Sequence, residues 1–429
     1  MKRALAGVIA GLCAGLMPPA GAMAADDLRI GVMYDYTGPL AGGGSKAAAI
    51  GNKIAIDMIN EKGGVEGRKI VGIYTDAQSK TEVAINETER LLNEQKVDVI
   101  MGVFSSAQCV PMAAKIDAAK KIFWATVCVS SAVFKDRNLQ YAFRANIHSD
   151  QYGDTSCTFV NENAKKFGKE PKDLRIAIIY EDGPYGSGIA NANETRCKAL
   201  GMPVVHKEAY AATSSDLSAL VTKLRRAQPD VILHTGYNPD ITLFLRQAKE
   251  AGLKFQALIG HGAGYSQIDK LHETFKDDVN YLLDVDPPPA QLLDPKTLAP
   301  GLGDLTAELV KRYQAETGAK EVPPHASMGF NHAWVFFNDV VPRAIKKYGG
   351  TDPDALRKAS LDTDIPVGGT IQGYGVKFFG PGTQMAGQNE RAQPVVMQFV
   401  KGETKVVWPA AIKTADPVIP LPAGHAFAR

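Results

Sequence analysis

Six short stretches gather hydroxyls, tyrosines and glycines while holding no lysine or arginine: YDYTGPLAGGG (34–44), SSAQC (105–109), TVCVSS (126–131), EDGPYGSG (181–188), TGYNPD (235–240) and GHGAGYS (260–266). Serine hydroxyls and free backbone N–H groups at helix starts can hold a carboxylate without a formal positive charge. Ser105, Ser106 and Ser130 suit that role. Tyr185 and Tyr237 offer flat apolar faces with a polar tip, suited to covering a small ligand. Each serine taken alone reads equally well as a helix cap. Several such loops converging on one edge favour a pocket.

Other chemistries fit poorly. A phosphate loop requires GxxxxGK followed by a hydroxyl residue, whereas here Lys46 follows Ser45 and no hydroxyl follows the lysine. The dinucleotide pattern GxGxxG is absent from 38–45, and GHGAG (260–264) is merely glycine-rich. There is no GxSxG elbow and no HExxH. No CxxC or Cys/His cluster points to a metal. The expectation is a binding protein without cofactor, metal or catalytic residues.

The elements that carry these loops alternate. Strand-like runs at 28–34, 69–76, 97–104 and 121–127 are separated by helical runs at 46–64, 80–95 and about 108–120. The series restarts after YAFRANIHSD (141–150), with strands at 174–182, 203–210, 229–236 and 255–260 and helices between them. Strands alternating with helices of this length give an α/β fold with parallel sheets, here in two units. In such sheets ligands collect at the carboxyl ends of the strands, where all six stretches fall. DVDPPPAQLLDP (284–295) reads as a linker because of its prolines. Helices near 303–317 and 325–348 follow, and VKFFGPG and QPVVMQFV read as edge strands.

The 429 residues are too many for one compact domain, and 45% hydrophobic with 22% charged residues describes an ordinary soluble chain. Residues 1–24 have a basic start at Lys2 and Arg3, an apolar run and Ala22-Met23-Ala24, the pattern of a cleaved secretory signal peptide. Removing them lowers Lys plus Arg from 48 to 46, level with the 46 acids. A balanced surface argues against a nucleic-acid partner. Four cysteines remain, in a compartment that permits disulfides. Sequence alone does not choose among their three pairings; chain proximity favours Cys109–Cys128 and Cys157–Cys197, and buried free thiols are the other reading.

Several separated landmarks also stand in a familiar order: RIGVMYDYTGPLA, AAAIGNKIAIDMINEKGGVEGRKI, VIMGVFSSAQCVPMA, AFRANIHSDQYG, IAIIYEDGPYGSG, DLSALVTKLRRAQPDVILHTGY and FLRQAKEAGL. Over nearly all of 26–400 the chain resembles the type I periplasmic binding proteins of the branched-chain amino acid transport class, the Leu/Ile/Val-binding family. That resemblance implies two Rossmann-like lobes joined by a three-strand hinge: residues 25–146 plus 287–362, and 147–286 plus 363–429. It implies a periplasmic, monomeric protein that traps a small carboxylate-bearing ligand by lobe closure and docks on an inner-membrane ABC transporter permease. The same fold also serves sensors that present a ligand to a membrane receptor. An enzyme acting in the cleft would need a nucleophile–base pair, and none is visible.

Carried over by position, the ligand set is Tyr36, Ser105, Ser106, Thr126, Val129, Ser130, Tyr185, Tyr237, His261 and Gly262. Ser106 and the Val129–Ser130 loop would take the carboxylate. Amino-acid binders of the family place a glutamate at the Gly262 position, opposite the ligand ammonium, and a bulky aromatic near Gly43. Glycine at both points to a larger or non-amino ligand, an aliphatic or aromatic acid, unless Asp182, Asp240 or another acid substitutes. His261 and His325 are further candidate donors.

Overall fold

Residues 26–429 are described in a computed structural model; the segment read as a signal peptide, residues 1–24, lies outside them. Two sheets organise the chain. The first runs β2-β1-β3-β4-β5, from β1 (Leu28–Tyr34), β2 (Ile70–Asp76), β3 (Val99–Gly102), β4 (Ile122–Ala125) and β5 (Ala142–Arg144), all parallel. β3 and β4 are buried along their whole length, as strands with helices on both faces must be.

The second sheet runs β14-β13-β10-β9-β8-β6-β7. Its parallel part is β6 (Ile176–Glu181), β7 (Val204–Tyr210), β8 (Val231–Thr235), β9 (Ala257–His261) and β10 (Leu283–Asp286). β11 (Asp364–Ile365) and β12 (Val376–Lys377) form a separate two-stranded ribbon. β13 (Val395–Val400) and β14 (Glu403–Trp408) extend the second sheet antiparallel.

Some expectations are corrected here. The start of the 284–295 stretch is strand, because Asp284 and Val285 pair with β9 on one side and Asp284 to Asp286 with β13 on the other before the prolines begin. QPVVMQFV is an interior strand, since β14 covers it. VKFFGPG contributes only the two residues of β12.

Arg144 at the end of β5 bridges Gln388, whereas β13, from Val395, pairs β10 in the second sheet. The helix Ser149–Glu162 packs on Pro184–Ala199 in the second lobe, while Pro324–Val335 returns to pack on Ser45–Glu61 in the first. Gly51 and Gly329 make that second contact close: a Cβ at Gly51 would stand 2.0 Å from the Ala326 carbonyl oxygen. Disulfides join Cys109 to Cys128 in the first lobe and Cys157 to Cys197 in the second. The first ties the start of the helix Ser106–Ala118 to the loop after β4, so it links two of the hydroxyl-rich stretches.

Strand order decides which loops can meet. β1 lies between β2 and β3, and β6 lies between β7 and β8, so each sheet has a switch point at these strand ends. The loops after β1 and β3 therefore part in the first lobe, and those after β6 and β8 part in the second.

Candidate functional site

β3 ends at Gly102, and Phe104, Ser105 and Ser106 lead directly into the helix Ser106–Ala118. Ser105 is its extended N-cap and makes no side-chain capping bond, so hydroxyls and N–H groups stay gathered at this end. Ser106 is buried, and its Oγ accepts from the Ser130 N–H at 3.2 Å. The Ser130 Oγ in turn accepts from the Ala132 N–H at 3.3 Å. The Ser106 hydroxyl, held from behind by the Ser130 N–H, thus keeps its own proton to donate, with Val129 beside it on the cleft wall.

A charge stands behind that hydroxyl. Arg144 is fully buried against the Phe134 ring, and its Nη1 donates to the Cys128 and Ser130 carbonyls at 2.9 and 3.0 Å. Burial pulls the guanidinium down to about 9, which leaves it charged at neutral pH. Its field favours an anion on the far side of the Ser130 loop.

The second lobe supplies the cover. Tyr185 begins the helix after β6 and Tyr237 precedes the helix after β8; their ring centroids lie 5.3 Å apart. The Tyr185 hydroxyl donates to the His261 carbonyl, which fixes the ring. Tyr237 also reaches Phe104 of the first lobe at 6.0 Å, and Phe104 meets His325 at 5.4 Å. Between Ser106, Val127, Val129 and these rings, with Tyr152, Ala263 and Met328, lies a cavity of about 20 Å³. The lobes are therefore closed onto each other here.

The glycines of the first loop now have a reason. Gly44 has φ +124°, and a Cβ there would stand 2.9 Å from both the His325 ring and Phe104. Only glycine lets the loop pass this close to the aromatic wall. The rest of the loop is tied outward: Asp76 accepts from the Tyr36 N–H at 2.9 Å and from the Thr37 hydroxyl at 2.6 Å.

The structure thus brings Ser106, Val129, Tyr185 and Tyr237 together around one cavity; Ser130 is buried behind Ser106 and bonded to it, and Ser105 is outside the lining. Four other candidates stand apart. Tyr36 is held on the Asp76 side of its loop. The Thr126 hydroxyl is bonded to the Tyr34 hydroxyl at 2.8 Å within the core. His261 is fully buried and uses both ring nitrogens inside its own lobe, with Ser156 and Thr235 at 2.8 Å each. Burial pulls its pKa down to about 3, so the ring is neutral. Gly262 has φ +52°, and its N–H donates to Asp284 at 2.7 Å.

Phe104, Val127, Tyr152, Ala263 and Met328 complete the wall and were not singled out from the sequence. Phe104 was the most accessible of them, as the last apolar residue before Ser105. Met328 and Tyr152 sit within helices, where nothing in the local pattern separates a cleft position from a core one.

Acids surround the second-lobe side, and each is already engaged. Glu181 accepts from the Gly183 and Gly186 N–H groups, and Asp240 from the Tyr237 N–H and the Tyr210 hydroxyl. Ser266 bridges Asp284 and Asp286, and Tyr152 donates to Asp286. Burial raises the pKa of both members of that pair, and the neighbouring carboxylate raises Asp286 further. In the first lobe Asp35 accepts from the Ser79 N–H and the Gln108 amide, but its Oδ2 has no partner among the described residues.

Among the described residues no helix is long and apolar enough to cross a membrane, and no group of three or more His, Cys, Asp or Glu could hold a metal ion.

A family model described as "Periplasmic binding protein" matches residues 27–402. "Leu/Ile/Val-binding protein homolog 7" of Brucella suis biovar 1 (strain 1330) is 34% identical over 420 residues, which is 98% of this chain and 99% of that protein. "Leu/Ile/Val-binding protein homolog 8" of Brucella abortus (strain 2308) is 34% identical over 384 residues, 89% of this chain and 91% of that one. Among solved structures, the leucine binding protein LivK of Thermotoga maritima MSB8 superposes with a TM-score of 0.73 at 20% identity, covering 88% of this chain and 97% of its own. The branched-chain amino acid transporter substrate binding protein LivJ of Streptococcus pneumoniae, in complex with isoleucine, gives 0.71 at 18% identity, covering 92% and 100%. The family is that of periplasmic binding proteins, and the fold is that of these solved structures.

Proposed function

The chain belongs to the periplasmic binding protein family, in its branched-chain amino acid transporter type, and on that premise we propose that it is the solute-binding component of an ABC importer. It acts outside the cytoplasm, after removal of the 1–24 leader. Its two lobes close on one small carboxylate-bearing ligand, and the closed form delivers that ligand to a membrane permease. Ser105, Ser106, Val129 and Ser130 hold the carboxylate, and Tyr185 and Tyr237 cover the rest.

The observation that carries this reading is the Ser106 hydroxyl, held by Ser130 and backed by Arg144, facing the Tyr185–Tyr237 pair across a closed cleft. A cleft hydroxyl with its proton unspent, backed by a buried positive charge, suits an anion. Aromatic covers from the opposite lobe make binding and closure one event.

The ligand is an aliphatic or aromatic acid rather than an α-amino acid. An ammonium buried without a counter-charge is costly, about 3–5 kcal/mol when one partner of a buried pair is missing. Position 262 is glycine, Asp182 is exposed, and Glu181, Asp240, Asp284 and Asp286 are each satisfied by donors of this chain.

The test is a thermal-shift screen of the purified protein against aliphatic acids, aromatic acids, their α-amino counterparts and their amides. A ligand at about 100 times its Kd adds roughly 2.7 kcal/mol, a rise of about 5–10 °C for lobes of this size. Shifts are expected with acids that lack the amino group. Shifts from leucine-like amino acids alone would overturn the ligand class, and a response to amides equal to that of acids would overturn the carboxylate site.

A further inference from the structure

A cavity of about 430 Å³ lies between the lobes, apart from the Ser106 cleft. One wall is the helix Ile268–Phe275 with β10 and β13 of the second lobe; the other is the stretch from Tyr313 to Pro324 that packs with the first. Tyr265, Tyr313 and Phe399, all buried, give it aromatic faces. Its volume and mostly apolar walls fit a small organic molecule.

Four of the five charged residues that line it are acidic. Asp269 and Glu273 stand on its rim, Glu321 is half-buried in its side, and Asp284 is buried in its floor. Among the described residues no cation pairs with any of the four. Lys270 lines the same cavity but donates to the Gly42 carbonyl across the lobe boundary, and nearby Lys405 is paired with Glu403. Burial, with the charge of Asp269 adding, raises the Glu321 carboxyl. A cationic group entering the cavity would relieve both effects.

We propose that this inter-lobe cavity is a second small-molecule site, for an organic amine whose protonated nitrogen faces Glu321 while its apolar body lies against Tyr265, Tyr313 and Phe399. Ammonium groups favour such aromatic faces. The site is distinct from the cleft yet joined to it: Asp284 shares Ser266 with Asp286, and Asp286 accepts from Tyr152, which lines the cleft. Because both lobes form its walls, an occupant stabilises the closed arrangement, and the two ligands assist each other.

Isothermal titration of the purified protein with phenethylamine, and with phenethyl alcohol as its neutral near-isostere, tests this. The amine is expected to bind roughly tenfold more tightly than the alcohol, and Glu321→Gln to weaken it about fivefold. Glu273→Gln, an exposed rim change that leaves the fold intact, weakens it in the same direction. Ser106→Ala leaves amine binding unchanged. Equal affinity for amine and alcohol, absence of binding, or loss of amine binding in Ser106→Ala with Glu321→Gln at wild-type affinity each overturns the second site. Failure of the cleft reading shows separately, in the response of Ser106→Ala to carboxylates.

Discussion

Phe104 of the first lobe and Tyr237 of the second stand with ring centroids 6.0 Å apart, so one aromatic contact spans the cleft. Each ring has a second partner on its own side, His325 for Phe104 and Tyr185 for Tyr237. The four rings form a lid over the Ser106 hydroxyl.

A lid that contacts both lobes acts on escape more than on capture. Tyr237→Ala should raise the ligand dissociation rate about tenfold with a small change in association rate, because aromatic pairs contribute roughly 0.5–1.5 kcal/mol beyond their buried area. Tyr237→Phe should stay close to wild type. Stopped-flow displacement measures both. An unchanged dissociation rate in Tyr237→Ala would remove the tyrosine from the ligand's cover.

Ser106→Ala removes a hydroxyl that faces the cleft and leaves the Ser130 N–H without its acceptor. A hydrogen bond to a charged group is worth about 1.5–3 kcal/mol, so carboxylate affinity should fall roughly ten- to a hundredfold. Titration calorimetry reads it directly, and binding at wild-type affinity would place the carboxylate elsewhere.

The sequence made the lobes legible because each strand and helix announces itself locally, through short buried runs and long amphipathic ones. It also put Ser106, Tyr185 and Tyr237 on one edge, because residues at the carboxyl ends of parallel strands share it whatever their separation along the chain. Side-chain direction was not legible. His261 is the last residue of β9 rather than part of the loop after it, and Ser156 and Thr235 are brought to its two nitrogens by tertiary packing alone. The strand from Leu283 to Asp286 was hidden by the prolines after it, and with it the acidic pair that now fills the space beside Gly262.

Asp240 supplies a pH dependence with a definite sign. Burial pushes its carboxyl up to about 7, against hydrogen bonds from Tyr210 and Tyr237. A folded value above the unfolded one, about 3.9, means that the native state binds the extra proton. Its contribution is therefore full below about pH 4 and is lost as pH rises towards 7. Asp240→Asn removes that loss. The melting temperature of the variant relative to wild type should climb steadily from pH 4 to pH 7 and level off above it, as differential scanning calorimetry would show. A constant difference across that window would mean that Asp240 is ionised throughout.

Gly262 decides whether an amino-acid site can be restored by one substitution. Its φ of +52° disfavours any side chain, and a Cβ there would stand 2.8 Å from the Asp286 carboxylate. Left-handed backbone at a non-glycine residue costs roughly 1–2 kcal/mol. Gly262→Ala should therefore lower stability by about 1–3 kcal/mol in urea unfolding. Gly262→Glu should lower it further, because its carboxylate would enter beside the Asp284–Asp286 pair, where like charges and burial already act together. A glutamate restored by this substitution thus has no relaxed route to the cleft, and leucine binding should not appear. A stable Gly262→Glu protein that gains leucine binding would show that the loop can reopen and that glycine alone sets the ligand class.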